Sequence, residues 1–288
     1  MAVATFGESV KRTEDPRLIT GRGKYVDDVR LTGMAHLAFV RSPYGHANIK
    51  SINTQAALDS PGVIAVFTGA DLQEELGGLP VGWMLPDLKQ PPHPPLAYET
   101  VRYLGDAVAV IVADSAYQAN DAVDLVEVDY EVLPAVVNAE LATKDGAPLL
   151  HEEAPNNIGF DWEVGGGDFA EAIKDPDVIV VKERIVNQRL IPNSMETRGV
   201  VADYDAGKGN LTLYTSTQIP HLVKLLFSLV TGWPEQKVRV IAPDVGGGFG
   251  SKLYLYAEEV VAGIVARQVK RPVKWIESRS EAYVSTAH

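Results

Sequence analysis

Ala107-Val108-Ala109-Val110-Ile111-Val112-Ala113, then Asp114-Ser115-Ala116-Tyr117-Gln118-Ala119-Asn120-Asp121-Ala122-Val123-Asp124-Leu125, then Val126-Glu127-Val128-Asp129-Tyr130-Glu131-Val132, is the stretch on which the fold turns. Its first seven residues are all apolar and bounded by polar ones, the pattern of a strand buried on both faces. Asp114 is a suitable N-cap for a helix over 115–125, which carries Ala119, Ala122 and Val123 on one face. A second strand over 126–132 follows and stops at Leu133-Pro134. Strand, helix and strand in this order predict a mixed α/β (α+β) domain.

Toward the N-terminus, 34–40 and 63–68 read as short strands, with Ser60-Pro61-Gly62 as the turn before the second. Between these and the central stretch lie Pro86, Pro91, Pro92, Pro94 and Pro95, a density that precludes helix or central strand. An extended loop over the surface or a partner is expected there. Toward the C-terminus, 146–175 is irregular in composition, with Pro148, Pro155 and Gly165-Gly166-Gly167, and reads as a linker. The expected division is therefore a domain over 1–145, a linker over 146–175, and a second unit over 176–288.

The second unit opens with a β-branched-rich run over 178–186. Segments 199–204 and 211–215 flank a turn over 205–210 and read as a hairpin. Pro220 sits at a favoured first helical position, Leu222, Val223, Leu225, Leu226, Leu229 and Val230 form an apolar stripe, and Gly232 falls at the C-terminal cap. A strand over 237–242, a tight loop Gly246–Gly250 and a helix over 254–268 burying Val260, Val261, Ile264 and Val265 complete the pattern.

Of the 288 residues 46% are hydrophobic and 22% charged, an ordinary globular composition. Cysteine is absent, which excludes disulfides, thiolate zinc sites, iron–sulfur ligation and cysteine nucleophiles from this polypeptide. The net charge of −12 and the lack of any Lys/Arg run argue against nucleic acid or anionic lipid as a partner. The opening residues 1–8 lack a basic segment followed by an apolar one, and no apolar run reaches the ~18–20 residues of a membrane span. A soluble cytoplasmic protein is expected.

The segment richest in chemistry is Asp244-Val245-Gly246-Gly247-Gly248-Phe249-Gly250-Ser251-Lys252, between a strand and a helix. Glycines there permit positive φ and let the backbone approach a ligand, and free N–H groups beside a helix N-terminus make an anion-binding concavity. The same glycines would serve equally for a sharp turn. A dinucleotide fingerprint fails because Ser251 stands where the third glycine belongs, and a P-loop fails because Ser251 precedes Lys252 instead of following it. Gln218, in Thr215-Ser216-Thr217-Gln218-Ile219-Pro220-His221, lies at a strand–helix junction where its amide can donate to an oxo or phosphate oxygen, although the segment taken alone reads first as a solvated loop glutamine. His221 has no second ligand at metal spacing, so no metal ligand is expected from the protein, and Glu258-Glu259 reads as a solvated helix face.

Several segments together resemble one family. Arg12–Tyr25, Val40-Arg41-Ser42-Pro43-Tyr44-Gly45-His46-Ala47, Val101–Val110, Val128–Pro134, Ser194-Met195-Glu196-Thr197-Arg198-Gly199, Ser216-Thr217-Gln218 and Gly246–Gly250 are similar, in order, to the large subunits of the xanthine dehydrogenase, aldehyde oxidase and aerobic carbon monoxide dehydrogenase family. The resemblance implies an α/β-hammerhead domain followed by the beginning of a molybdenum-cofactor-binding domain. It also implies a molybdenum–pyranopterin cofactor, in the molybdopterin cytosine dinucleotide form, and oxidation of a small substrate (an aldehyde, an N-heterocycle or carbon monoxide) with oxygen from water. Electrons would leave through 2Fe–2S and FAD on partner subunits, in a dimer of heterotrimers that also needs the remainder of the molybdenum subunit. Gln218 falls where the family hydrogen-bonds an oxo ligand of molybdenum, and Gly247, Gly248, Phe249 and Gly250 on the loop whose backbone approaches the metal centre. The family's glutamate base has no counterpart before His288, and Leu253 stands where xanthine-oxidising members carry a substrate-binding glutamate. The chain alone is then expected to be inactive; the alternative is a non-catalytic scaffold subunit of such a complex.

Overall fold

The computed structural model describes Gly7 and residues 9–82 and 85–286. Among these residues ten strands occur: β1 (Ala35–Arg41), β2 (Ala47–Asn53), β3 (Val63–Thr68), β4 (Thr100–Val101), β5 (Ala107–Ala113), β6 (Glu127–Val132), β7 (Gly199–Asp205), β8 (Asn210–Thr215), β9 (Val238–Ile241) and β10 (Val273–Ile276). Four helices of seven or more residues accompany them: α1 (Ala116–Val123), α2 (Pro220–Thr231), α3 (Ala257–Val269) and α4 (Arg279–Ser285). Seven strands form one sheet in the order β3-β5-β1-β10-β7-β8-β9, and β4-β2-β6 form a second.

All seven residues of β5 are buried, as the continuous apolar run requires. Strand β1 pairs antiparallel with β5, and its successive residues serve opposite faces. Leu37 and Phe39 join the core built on α2 and α3, whereas Ala38 and Val40 join a second core with α1 and β2. Helix α1 starts at Ala116, one residue later than expected, because Ser115 and not Asp114 is its cap: the Ser115 hydroxyl accepts from the Gln118 N–H. The Asp114 carboxylate is instead paired with Arg271 at 3.0 Å.

After α1 the chain does not return to the sheet it left. Strand β6 pairs antiparallel with β2 in the small sheet. The difference lies in the side chains: Glu127, Asp129 and Glu131 alternate along β6 and need water on one face, whereas β5 tolerates none. The proline-rich stretch is irregular as expected; Trp83 and Met84, just before it, lie outside the described residues.

The hairpin β7–β8 forms in the expected register, Val200↔Thr215 to Asp205↔Asn210. Gly232 ends α2 in the left-handed region (φ 67°), a conformation open to glycine at little cost. Strand β9 is trimmed to four residues because Glu235–Lys237 forms a 3-10 turn. The β-branched run over 178–186 takes neither helix nor strand, and its Ile179 and Ile185 are 89% and 88% exposed.

Strand β10 and helix α4 carry no strong pattern in the sequence, yet β10 occupies the middle of the large sheet. It runs parallel to β1 (Ala35↔Val273) and antiparallel to β7 (Val273↔Ala202), so residues from either side of 146–175 share one sheet. The β8–β9 pair is parallel. Its C-terminal ends therefore point the same way, and the loops leaving them stand side by side.

Candidate functional site

Those two loops hold every site residue singled out in the sequence. Ser216-Thr217-Gln218 leaves β8 and enters α2, and Gly246–Gly250 follows β9 and leads toward α3. In open α/β sheets the crevice outside the carboxyl ends of the strands is the usual ligand position. The loops are bonded directly: the Gln218 N–H donates to the Lys252 carbonyl at 2.9 Å. The Gly250 N–H donates to Gln218 Oε1 at 3.1 Å. Because a backbone N–H can only donate, this bond fixes which end of the amide is oxygen. Gln218 Nε2 then points away as a donor with no partner among the described residues.

The loop adds more donors. Gly246 N–H is taken by Glu196 and Gly250 N–H by Gln218, while the N–H groups of Gly247, Gly248 and Phe249 have no partner among the described residues. Gly247 (φ 100°) and Phe249 (φ 48°) both adopt positive φ, which turns successive amides toward one side. A Cβ on Gly248 would lie 2.3 Å from Gln218 Oε1, so the close approach of the loops requires glycine there. Ser194 Oγ is buried without a partner and lies 3.3 Å from where a Gly247 Cβ would stand. Three backbone donors, one amide and an orphaned hydroxyl make a cradle suited to an anionic, oxygen-rich group.

Beneath the loops lies a cluster that sequence reasoning missed. Glu196 Oε2 accepts from Gly246 N–H at 2.7 Å, Ser216 Oγ at 2.6 Å and Lys252 Nζ at 3.0 Å. Lys252 Nζ also donates to the Glu196 carbonyl at 3.0 Å and to Ser216 Oγ at 2.6 Å. Burial pushes the Lys252 ammonium below its usual range, and Glu196 opposes the shift. The available signal was Lys252 two residues after the glycine loop, a position weighed in the sequence only as a failed P-loop.

The expectation of a solvated Glu258-Glu259 face is wrong. Both are buried, because α3 is enclosed on all sides from Ala257 to Ala266. Glu258 accepts from Arg41 at 2.7 Å and Arg198 at 3.1 Å, and Arg198 also pairs with Glu277 at 2.5 Å. The Arg198 guanidinium lies 3.8 Å from the centre of the Tyr256 ring. Glu259 has no ion-pair partner among the described residues. It meets the Thr215 hydroxyl at 2.5 Å and the Tyr256 N–H at 2.9 Å, and burial raises its pKa to about 7.

That raised value predicts a pH dependence. Between the ordinary glutamate pKa of about 4.3 and about 7 the folded state holds a proton that the unfolded chain has lost, so stability falls as pH rises through this window. Glu259→Gln, which copies the neutral acid, should leave stability nearly unchanged at or below about pH 4 and raise it above the unchanged protein at pH 8. Equal denaturation midpoints at pH 8 would contradict a raised Glu259 pKa.

His221 is exposed, at the first turn of α2. No group of three or more His, Cys, Asp or Glu able to hold a metal occurs among the described residues, and no helix there is long and apolar enough to cross a membrane.

Comparison with known proteins agrees with this architecture. Residues 20–134 match the family model of the aldehyde oxidase and xanthine dehydrogenase a/b hammerhead domain, and residues 150–288 that of the molybdopterin cofactor-binding domain. The chain is 40% identical over 283 residues to the nicotine 6-hydroxylase large subunit of Paenarthrobacter nicotinovorans, covering 98% of this chain and 34% of the relative. It is 41% identical over 289 residues to the carbon monoxide dehydrogenase large chain of Afipia carboxidovorans, covering 96% and 35%. The crystal structure of quinoline 2-oxidoreductase from Pseudomonas putida 86 superposes with a TM-score of 0.87 at 37% identity, covering 98% of this chain and 36% of that one. The chain thus spans about a third of the length of these relatives. From its hammerhead fold through the glycine loop, the chain belongs to the family of molybdenum-binding large subunits that includes xanthine dehydrogenase and carbon monoxide dehydrogenase.

Proposed function

We propose that this chain forms one wall of the molybdenum-cofactor site of a hydroxylase that oxidises a small substrate. The observation that carries the reading is the pairing of Gln218 with the Gly246–Gly250 loop: the bond from Gly250 leaves the Gln218 amide N–H group facing outward beside three backbone N–H groups that have no partner among the described residues. A molybdenum–pyranopterin, in its cytosine dinucleotide form, would supply two-electron oxidation with oxygen from water. Gln218 Nε2 would hold an oxo oxygen, and Gly247, Gly248, Phe249 and Gly250 would line the approach to it, with no side chain at the glycines to block contact.

The chain's length relative to its relatives supports a need for the remainder of the molybdenum subunit, and 2Fe–2S and FAD subunits are the expected electron acceptors. The names of the relatives, a large subunit and large chains, support an assembly of several polypeptides. The exposed apolar residues of 178–181 and 185–186, on either side of Lys182-Glu183-Arg184, are a suitable surface for the remainder of the subunit. Leu253, half-exposed three residues after the loop, presents an apolar wall where a carboxylate would favour purines. An aldehyde, a simple N-heterocycle or carbon monoxide is the substrate class we favour.

In the complete enzyme Gln218→Ala should lower kcat by about 10²–10³-fold, since one preorganised donor to an anionic oxygen is worth roughly 2.7–4 kcal/mol. Fold and subunit assembly should be unaffected, because Gln218 is exposed and its substitution empties no core. Turnover equal to the unchanged enzyme on a panel of aldehydes, N-heterocycles, purines and carbon monoxide would remove Gln218 from the reaction.

A further inference from the structure

We propose that Glu196 and Lys252 are a positioning pair, whose buried salt bridge sets the spacing between Gln218 and the glycine loop and so aims the Gln218 amide. The proposal rests on the functional reading of Gln218 and extends it to residues that touch neither substrate nor cofactor.

Three chain segments meet at this pair. Glu196 belongs to the segment before β7, Ser216 to the loop after β8, and Gly246 and Lys252 bracket the glycine loop. Each anchored group sits two residues from the group it would place: Ser216 from Gln218, Gly246 from Gly248, and Lys252 from Gly250. A shift at the anchor therefore moves the donor two residues away. The bonding at the anchor is saturated. Glu196 Oε2 takes three donors, and Lys252 Nζ donates to the Glu196 carboxylate, the Glu196 carbonyl and Ser216 Oγ, so its three protons are all committed. The Lys252 and Glu196 side chains are 1% and 17% exposed, which removes water as a substitute partner for the ammonium.

The Lys252 backbone completes the link, since its carbonyl accepts both the Gln218 N–H at 2.9 Å and the Thr217 hydroxyl at 3.3 Å. One residue is thus fixed at its ammonium by Glu196 and holds Gln218 through its carbonyl. The Lys252 ammonium has all three protons committed and almost no exposure to water, so its contribution is geometric. Misplacing a reacting group by about 1 Å costs on the order of 10²-fold in rate.

The test uses the complete enzyme carrying Lys252→Met, which keeps the side-chain length without the charge, and Ser216→Ala, which removes only the bridging hydroxyl. Each is combined with Gln218→Ala. Amide exchange is followed at Gly250, whose N–H holds Gln218 Oε1, and at core positions of β8. The expected result is a kcat loss approaching 10²-fold for Lys252→Met, smaller for Ser216→Ala, with KM little changed and faster exchange at Gly250 but not in β8. In the Gln218→Ala background the same substitutions should cost less than about threefold further, because a residue acting only through Gln218 has nothing left to position.

Losses that multiply across the two backgrounds, or exchange at Gly250 unchanged in both variants, would overturn the proposal. Should Lys252→Met fail to assemble, Ser216→Ala still decides, because it keeps both charges. Failure of the functional reading looks different: Gln218→Ala alone would leave turnover intact, while Gly250 exchange would still report whether the pair holds the two loops together.

Discussion

Gly248→Val is expected to abolish turnover of the complete enzyme, by at least about 10³-fold, while leaving the chain folded. The added Cβ would meet Gln218 Oε1 at 2.3 Å and Gln218 Cδ at 2.5 Å, distances no pair of atoms sustains. Two outcomes can relieve the overlap. The backbone of the loop can shift, but it is tied at Gly246 to Glu196 and at Ser251 to the Gly248 carbonyl. The Gln218 side chain can swing away, which breaks only the single bond from Gly250. The second is cheaper, so the overlap displaces the one side-chain amide aimed into the cradle. The branched side chain would further stand where the backbone must approach the cofactor. Comparing kcat, molybdenum content and the thermal midpoint checks this: near-normal melting with lost activity is the expected combination. Activity within threefold of the unchanged enzyme would show that the loop's closeness to Gln218 is incidental.

Arg198→Met is expected to have the largest effect on stability, about 3–5 kcal/mol in unfolding free energy, because it breaks a buried ion pair from one side. Arg198 is 5% exposed and lies between two buried carboxylates, Glu258 at 3.1 Å and Glu277 at 2.5 Å. Removing the guanidinium leaves the Glu277 carboxylate with the hydroxyls of Ser285 and Thr286 and one backbone N–H, that of residue 198, and leaves Glu258 with Arg41 as its remaining ion-pair partner among the described residues. Because Arg41 lies on β1 and also pairs with Glu281 at 2.9 Å on α4, the loss reaches the junction of β1, β7, β10 and both C-terminal helices.

The pH dependence of the Arg198 effect has a definite sign. Burial alone would raise the Glu258 carboxyl, but Arg198 first and Arg41 second outweigh it, so the carboxyl is held below the ordinary range. A depressed carboxylate contributes stability that is present above the unfolded value of about 4.3 and is lost as pH falls through the folded value. The destabilisation by Arg198→Met should therefore be greatest near pH 7 and shrink as the solution is taken below about pH 4. Guanidinium-chloride denaturation at a series of pH values measures this. A penalty that does not change with pH would assign the effect to lost packing against Tyr256 and Trp275, over which the guanidinium also lies, and not to charge.

The sequence by itself determined those elements whose signal is local. The seven apolar residues of β5 could form little else than a buried strand, Pro220 and Gly232 bracket α2 as their backbone preferences require, and the turn over 205–210 sets the β7–β8 hairpin. Gln218 and Gly246–Gly250 were legible as candidates because a polar tip and a glycine run at strand ends are local patterns, although each pattern alone serves equally for an ordinary turn, and their order along the chain with the other matching segments singled them out. The tertiary structure alone decided where the second strand of the opening stretch would go, that β10 would join β1 to β7, and that Glu258 and Glu259 would be buried. It alone brought Glu196, 56 positions before Lys252, under the loops. The physical reason is the same in each case. Local preference is read from neighbours in sequence, whereas the burial of a charge depends on partners that arrive only when distant segments pack: Arg198 lies 60 positions from Glu258, and Arg41 lies 217. A glutamate pair on a helix reads as solvated until the helix is covered on every side; the unbroken apolar run over 260–266 hinted at that covering, but only the packed structure supplied the partners that let Glu258 and Glu259 be buried with it.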